Sequence, residues 1–316
     1  MKILVYGVGA IGSLLTHFLS KAGNDVTVVA RSTAEVLEKE GLVIEHYLQR
    51  HKVTVDRPTV VSKASYDEKY DIVFSVMQGQ QQFTVLGELT KVNTKLIVMV
   101  GNNLEGDKCE EYIKEHAVSD RTILYGFQNS AGHREGGKAI VGRLPITELF
   151  LGGLHAPGNP KAINMVKEAF AVRGYKITEI SDMQSYYYYH VAEIMPYILM
   201  CYKVDCNLKR LKRKDIKRIV TASRECFEYL KSAGISAMPV GKEKLFQKGF
   251  MGYATFLLYR LMSRTVLGKL MVADHARNGV AENKYIDAEF EKFRTSHPGK
   301  PMPTWDSLRK YLVCFR

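Results

Sequence analysis

Short apolar runs alternating with helical periodicity fill the first 180 residues, and helical periodicity alone fills the rest. Residues 2–6 (KILVY), 25–30 (DVTVVA), 71–76 (DIVFSV) and 95–100 (KLIVMV) are apolar on both faces, the pattern of strands buried in a covered parallel sheet. Helices are predicted after the first of these and at 34–40, 78–89 and 162–173; residues 42–45, 52–55 and 175–180 read as further strands. Between 122 and 153 the apolar segments shorten and are broken by glycine (TILYGF, GGKAIVG, ELFLGG), which predicts antiparallel strands closing the first domain. Strand signals largely vanish beyond Ser181. The pattern predicts an α/β domain over 1–180 and an all-helical domain over 181–316.

The junction between the first strand and the first helix carries the strongest chemistry. Gly7-Val8-Gly9-Ala10-Ile11-Gly12 is a G-x-G-x-x-G turn, in which Gly7 permits the tight turn, Gly9 lets backbone amides approach a pyrophosphate and Gly12 lets the helix sit close to the strand. An anion then rests on the unpaired amides of the helix N-terminus. A lone glycine turn is a weak signal, but DVTVVA follows at the spacing of one βαβ unit, so a Rossmann-type, doubly wound dinucleotide-binding domain is expected. The residue after that second strand decides the cofactor. Arg31-Ser32 stand where an NAD-binding unit would carry Asp or Glu, and no acid occurs before Glu35. A carboxylate would repel a 2′-phosphate and a guanidinium pairs with it, so the expected cofactor is NADP(H).

Composition adds bounds. A chain of 316 residues exceeds what one hydrophobic core usually organises, consistent with two domains. No apolar run approaches the roughly 18 residues needed to span a bilayer, and the apolar start is too short for a signal peptide, so a cytoplasmic protein without membrane contact is expected. The five cysteines lack disulfide or zinc spacing and are expected to be reduced packing residues. The net charge of +12 suits nucleic acid or an enzyme with anionic cofactor and substrate. The densest basic run, 209–218 (KRLKRKDIKR), interleaves with Leu208, Leu211, Ile216, Ile219 and Val220 on one helical stripe and is expected to be a solvated helix face; Tyr186 to Tyr189 are expected to be helix-packing aromatics. No nucleic-acid partner is expected.

Taken together, these features resemble the ketopantoate reductase family, the 2-dehydropantoate 2-reductases of pantothenate biosynthesis. The resemblance rests on GVGAIG with Arg31, on Asn102 in the loop after KLIVMV, on the stretch KSAGISAMPV at 231–240, and on Asp274 and Glu282 in MVADHARNGVAENKYID. It implies NADPH bound between a dinucleotide domain and a helical substrate and dimerisation domain, a small anionic 2-oxo acid as substrate, a homodimer, and contacts to cofactor or substrate from Asn102 and Glu282. Gln78 falls where the family has the lysine of its V-x-L-K strand end, and is expected to border the cofactor.

The departures concern the reacting centre. The family's catalytic lysine and two asparagines would lie on the first long helix of the second domain, here YYYYHVAEIMPYI, which has no lysine; matching the helix start puts His190 at the lysine, and matching Pro196 puts Tyr187 there. The substrate-binding serine is replaced by Leu270, beside Lys269. Hydride addition to a ketone needs a proton donor and a partner for the developing alkoxide. The sequence therefore points to His190 as general acid, oriented by Glu193 or held protonated by Glu282, with Asn102 as amide donor, and Lys269 and Asp274 as substrate contacts. The competing reading is a non-catalytic NADP-binding sensor that has lost the lysine.

Overall fold

The computed structural model describes residues 1–315, which divide into two compact units, 1–183 and 184–315. In the first unit the strands are β1 (Lys2–Tyr6), β2 (Asp25–Val29), β3 (Leu42–His46), β4 (Lys52–Asp56), β5 (Thr59–Val61), β6 (Lys69–Tyr70), β7 (Ile72–Val76), β8 (Asn93–Thr94), β9 (Leu96–Val100), β10 (Thr122–Gln128), β11 (Ser130–Glu135), β12 (Lys138–Arg143), β13 (Thr147–Gly152) and β14 (Tyr175–Glu179). The helices are α1 (Ala10–Lys21), α2 (Ala34–Glu40), α3 (Gly79–Leu89), α4 (Gly106–His116) and α5 (Pro160–Ala169).

The main sheet has eight strands in the order β14-β13-β10-β9-β7-β1-β2-β5, parallel throughout except where β13 meets β10. Val5 lies opposite Val28 on one side and Phe74 on the other, and all three are fully buried, which is why these segments read as continuous apolar runs. Chain order runs outward in opposite directions from β1. The carboxyl ends of β1 and β7 are therefore the topological switch point, where an open α/β sheet leaves a crevice.

The expectation of antiparallel closing strands at 122–153 holds in part, since β13 runs antiparallel to β10. β10 continues the main sheet in parallel with β9, whereas β11 and β12 leave it as a hairpin and build a second sheet, β11-β12-β3-β4, in which β12 is parallel to β3. The hairpin turns on Gly136 and Gly137, both at positive φ, as a two-residue loop between right-twisted strands requires. β6 and β8 pair separately.

The second unit is helical: α6 (Met183–Lys203), α7 (Arg213–Ser232), α8 (Phe250–Met262), α9 (Val266–Gly268), α10 (Asp274–Asn278), α11 (Val280–Ser296) and α12 (Pro303–Cys314), with a π turn at Lys269–Ala273 between α9 and α10. Tyr186, Tyr187 and Tyr189 are buried and Tyr188 stacks on Phe293 at 4.2 Å, so the tyrosine run packs helices. The basic run does not lie on one helix. Leu208–Arg210 is a 3-10 turn, Leu211 is extended, and α7 begins at Arg213, where the carboxylate of Asp215 accepts from the backbone N–H of Lys212 at 2.9 Å. The five apolar residues of the run and Asp215 are nevertheless all buried, leaving its lysines and arginines outward. No helix among the described residues is long and apolar enough to cross a membrane.

Candidate functional site

The glycine turn lies at the switch point and each glycine answers a measurable constraint. Gly7 sits at a φ of +92°, and a Cβ there would come within 2.2 Å of the Val76 carbonyl oxygen. A Cβ on Gly12 would lie 1.9 Å from the Gly7 oxygen, so only glycine lets α1 approach β1 this closely. Gly9 is different: a Cβ there would meet no protein atom within 4 Å. The space beside it belongs to a cavity of about 520 Å³ lined by Tyr6, Gly7, Val8, Gly9, Arg31, Ser32, Gln81 and Arg134 among others. Ala10 and Ile11 open the first turn of α1 at this edge. A cradle that a Cβ would fill, at a helix N-terminus, with an exposed Arg31 on its rim, fits the phosphates of a dinucleotide.

Arg134 went unnoticed in the sequence. It comes from β11, and its guanidinium donates to the Val8 carbonyl at 3.1 Å, to Ser13 Oγ at 3.3 Å and to the Gly137 carbonyl at 2.6 Å. It ties the phosphate loop to the hairpin and places a cation on the same cavity. An isolated arginine in a glycine-flanked segment carries no motif that would have marked it. Gln78 does not line the cavity as expected; it caps α3, its Oε1 accepts from Gln80 Nε2 at 2.9 Å, and helical geometry turns Gln81 and Thr84 to the cavity instead. The loop after β9 is held by Asn103, whose Nδ2 donates to the Met99 carbonyl at 3.1 Å, leaving Asn102 buried one residue beyond Gly101.

In the second unit, His190 stands on α6 between Tyr186 and Glu193, one helical stripe. Its ring stacks on Tyr186 at 6.0 Å and its Nδ1 lies 3.9 Å from Glu193 Oε2. Burial, with Lys242 and His275 as positive neighbours, holds its imidazolium well below the ordinary histidine range. Burial thus opposes the protonated form expected of His190, while Glu193, whose Oε2 lies 3.9 Å from its Nδ1, is engaged by Lys242 in an ion pair. Lys242, on a 3-10 turn at Lys242–Phe246, also lies over the Tyr186 ring at 5.7 Å. It was not singled out in the sequence.

Lys269 and Asp274 are brought together elsewhere. They line a cavity of about 490 Å³ with Cys206, Lys209, Ser263, Arg277 and others, which neither His190 nor Lys242 lines. Glu282 is buried in the first turn of α11, where a carboxylate complements the helix N-terminus, and the next residue, Asn283, donates to the Tyr202 hydroxyl at 2.8 Å.

Comparison with known proteins agrees with this architecture. Residues 3–147 match the family model for ketopantoate reductase PanE/ApbA. A 2-dehydropantoate 2-reductase from Pyrococcus horikoshii is 30% identical over 183 residues, 58% of this chain and 56% of the relative; the match thus spans just over half the length of that relative. Among solved structures, 2-dehydropantoate 2-reductase from Geobacter metallireducens GS-15 superposes with a TM-score of 0.71 at 15% identity, covering 99% of each chain. D-mandelate dehydrogenase with NADH and anilino(oxo)acetate superposes at 0.65 and 17% identity, covering 99% of this chain and 97% of its own. These structural matches speak to fold alone. The glycine turn, the strand order and the matched N-terminal sequence agree in this: residues 3–147 are similar to the ketopantoate reductase family, and the whole chain shares its fold.

Proposed function

We propose that the chain is an NADPH-dependent oxidoreductase that reduces the carbonyl of a small 2-oxo acid or a related carbonyl compound. The observation that carries the cofactor assignment is the cavity beside Gly9 with Arg31 on its rim and no acidic residue where an NAD site would need one. The relatives support the reaction class: one is named for reduction of a 2-oxo acid, and one solved relative holds NADH with an oxo acid analogue. The bound cofactor would supply the hydride. The chain's own contribution begins with the amides of residues 9–12 and the Arg31 guanidinium, which bind phosphates, while Arg134 keeps the loop in place. Asn102 is proposed to donate its amide hydrogen to the carbonyl without titrating, and Glu282 to accept from a substrate or ribose hydroxyl.

The test is calorimetric and kinetic. Charge-assisted hydrogen bonds of about 1.5 to 3 kcal/mol should give Arg31 a roughly 10- to 150-fold preference for NADPH over NADH. Arg31→Ala should remove most of that preference. Equal affinities in the parent protein would refute the NADP assignment, and absence of turnover with NADPH across a panel of 2-oxo acids, ketopantoate included, would refute the reductase and favour a sensor.

A further inference from the structure

Two of the five cysteines meet in the turn that ends α6. The N–H of Cys206 donates to the Cys201 carbonyl at 2.9 Å and that of Asp205 to the Tyr202 carbonyl at 3.1 Å, the two backbone bonds of a Schellman motif. To close it, Asp205 and Cys206 take positive φ angles of 50° and 55°, which residues other than glycine adopt uncommonly. The motif sets the side chain of its last residue against that of its first. Here both are cysteines, and the Cys201 thiol donates to the Cys206 sulfur. The sulfurs are therefore in contact on a main chain that is already closed, the starting geometry a disulfide needs. Arg277 of α10 holds the turn from outside, its Nη2 donating to the Asp205 carbonyl at 3.3 Å. The Cys201 hydrogen bond first, and then the Arg277 charge, lower the Cys206 pKa against the opposing effect of burial, whereas donating to Cys206 raises that of Cys201. Cys206 also lines the cavity of about 490 Å³, whose charges are Lys209, Lys269 and Arg277 against the single carboxylate of Asp274. Cys201 is fully buried and Cys206 is 7% exposed, so a solute that enters the cavity meets Cys206 first.

We propose that Cys206 and Cys201 form a dithiol oxidation site, in which a small hydroperoxide entering the cavity is reduced by Cys206 and Cys201 then closes an intramolecular disulfide. No step of the carbonyl reduction uses either sulfur, so the inference does not depend on the reductase reading. In the first step the Cys206 thiolate attacks one peroxide oxygen: the S–O bond forms, the O–O bond breaks, and the departing alkoxide or hydroxide takes a proton from water. The sulfur loses two electrons, the peroxide gains them, and Cys206 becomes a sulfenic acid. In the second step the Cys201 sulfur attacks that of Cys206: the S–S bond forms, the S–O bond breaks, and the departing hydroxide takes the Cys201 thiol proton and leaves as water. Two thiols and one hydroperoxide thus give one disulfide, one alcohol or water, and one further water. The cations around the cavity favour the thiolate and the negative charge that develops on the departing oxygen.

The experiment treats the folded parent protein at pH 7 with hydrogen peroxide, denatures it in urea with N-ethylmaleimide present, and maps the tryptic peptides by mass spectrometry. Lys203 lies between the two cysteines, so trypsin separates them and a disulfide appears as two joined peptides that part on reduction. The joined pair should carry Cys201 and Cys206, while Cys109, Cys226 and the exposed Cys314 take up maleimide. Cys201→Ser keeps a hydroxyl donor beside Cys206 but cannot close the bond. In that variant dimedone should trap a sulfenic acid on Cys206, at least about tenfold faster than on Cys314, which has no such neighbours to favour its thiolate. Arg277→Gln should slow formation of the joined pair about three- to tenfold. A parent in which all five cysteines carry maleimide after peroxide, or in which the joined peptides include Cys314, would overturn the proposal, and that reading needs no variant to fold. Dimedone on Cys314 with none on Cys206 in a Cys201→Ser protein that melts as the parent does would overturn the assignment of Cys206 as the attacking thiolate.

Discussion

His46 is buried in the second sheet with both ring nitrogens committed. Arg143 Nε donates to its Nδ1 at 3.0 Å, so Nδ1 must be an acceptor and Nε2–H donates to Thr54 Oγ1 at 2.9 Å, which fixes the neutral tautomer. Burial first, then the positive charge of Arg143, lowers its pKa to about 4. The sign follows from linkage: the unfolded chain takes up a proton as pH falls through about 6.5 and the folded chain does not, so the contribution of this histidine is complete above about 6.5 and is lost as pH drops towards 4. The loss should reach about 3 kcal/mol at most. Urea unfolding of the parent between pH 7 and pH 4.5 should show a decline that His46→Gln removes in part; identical slopes in the two proteins would sink the assignment. A second residue-scale prediction concerns Cys206, which lines the cavity of Lys269 and Arg277. The Cys201 thiol donating to it, and Arg277 beside it, lower its pKa below the ordinary thiol value. Iodoacetamide labelling of Cys206 should therefore titrate below the free-thiol range of about 8.5, and Cys201→Ala should shift that titration upward. Titration at the free-thiol value in the parent would discard the pairing.

At the scale of elements, the glycine turn permits a sharp contrast between two substitutions three residues apart. Gly12→Ala must push α1 away from β1, since its methyl would fall 1.9 Å from the Gly7 oxygen, so it should cost at least about 2 kcal/mol of stability. Gly9→Ala meets no protein atom within 4 Å and should leave the melting temperature nearly unchanged, yet weaken NADPH binding at least tenfold by occupying the space of the phosphate. Differential scanning calorimetry with and without NADPH distinguishes them; a Gly9→Ala protein that binds as tightly as the parent would remove the loop from the binding site. The strands around this turn were legible because burial on both faces leaves an unmistakable apolar run. The second sheet was not, since β12 pairs with β3 some ninety residues earlier, as Ile140 does with Glu45, and a long-range partner leaves no mark on local periodicity. For the same reason Arg134 was invisible: its meaning comes from what the fold brings to it. The interruption at Leu211 was hidden by a charge pattern that a continuous helix would fit equally well.

For the whole molecule, the charge balance and the apolar surface act in opposition. The chain carries 45 basic and 33 acidic residues, so two copies repel at long range. Yet α8 exposes Phe250, Tyr253, Leu257, Leu258 and Leu261 along one helical face, more apolar surface than a single helix usually leaves in water. A second copy of this chain is the occupant proposed for that face, in keeping with the homodimer that the family resemblance implies: a symmetric contact lets each apolar stripe cover its counterpart, and the stripe itself has only Arg260 to bring like charge into the contact. Repulsion between +12 bodies is screened beyond about 8 Å at physiological ionic strength, whereas apolar burial is not, so association should strengthen as salt rises from 20 to 300 mM, the reverse of what an interface made of ion pairs would do. Sedimentation velocity at micromolar concentration should show a dimer at the higher salt, and the double substitution Leu258→Glu with Leu261→Glu should return it to monomer with NADPH affinity unaltered. A parent protein that sediments as a monomer at both salt concentrations would reject α8 as a contact between copies.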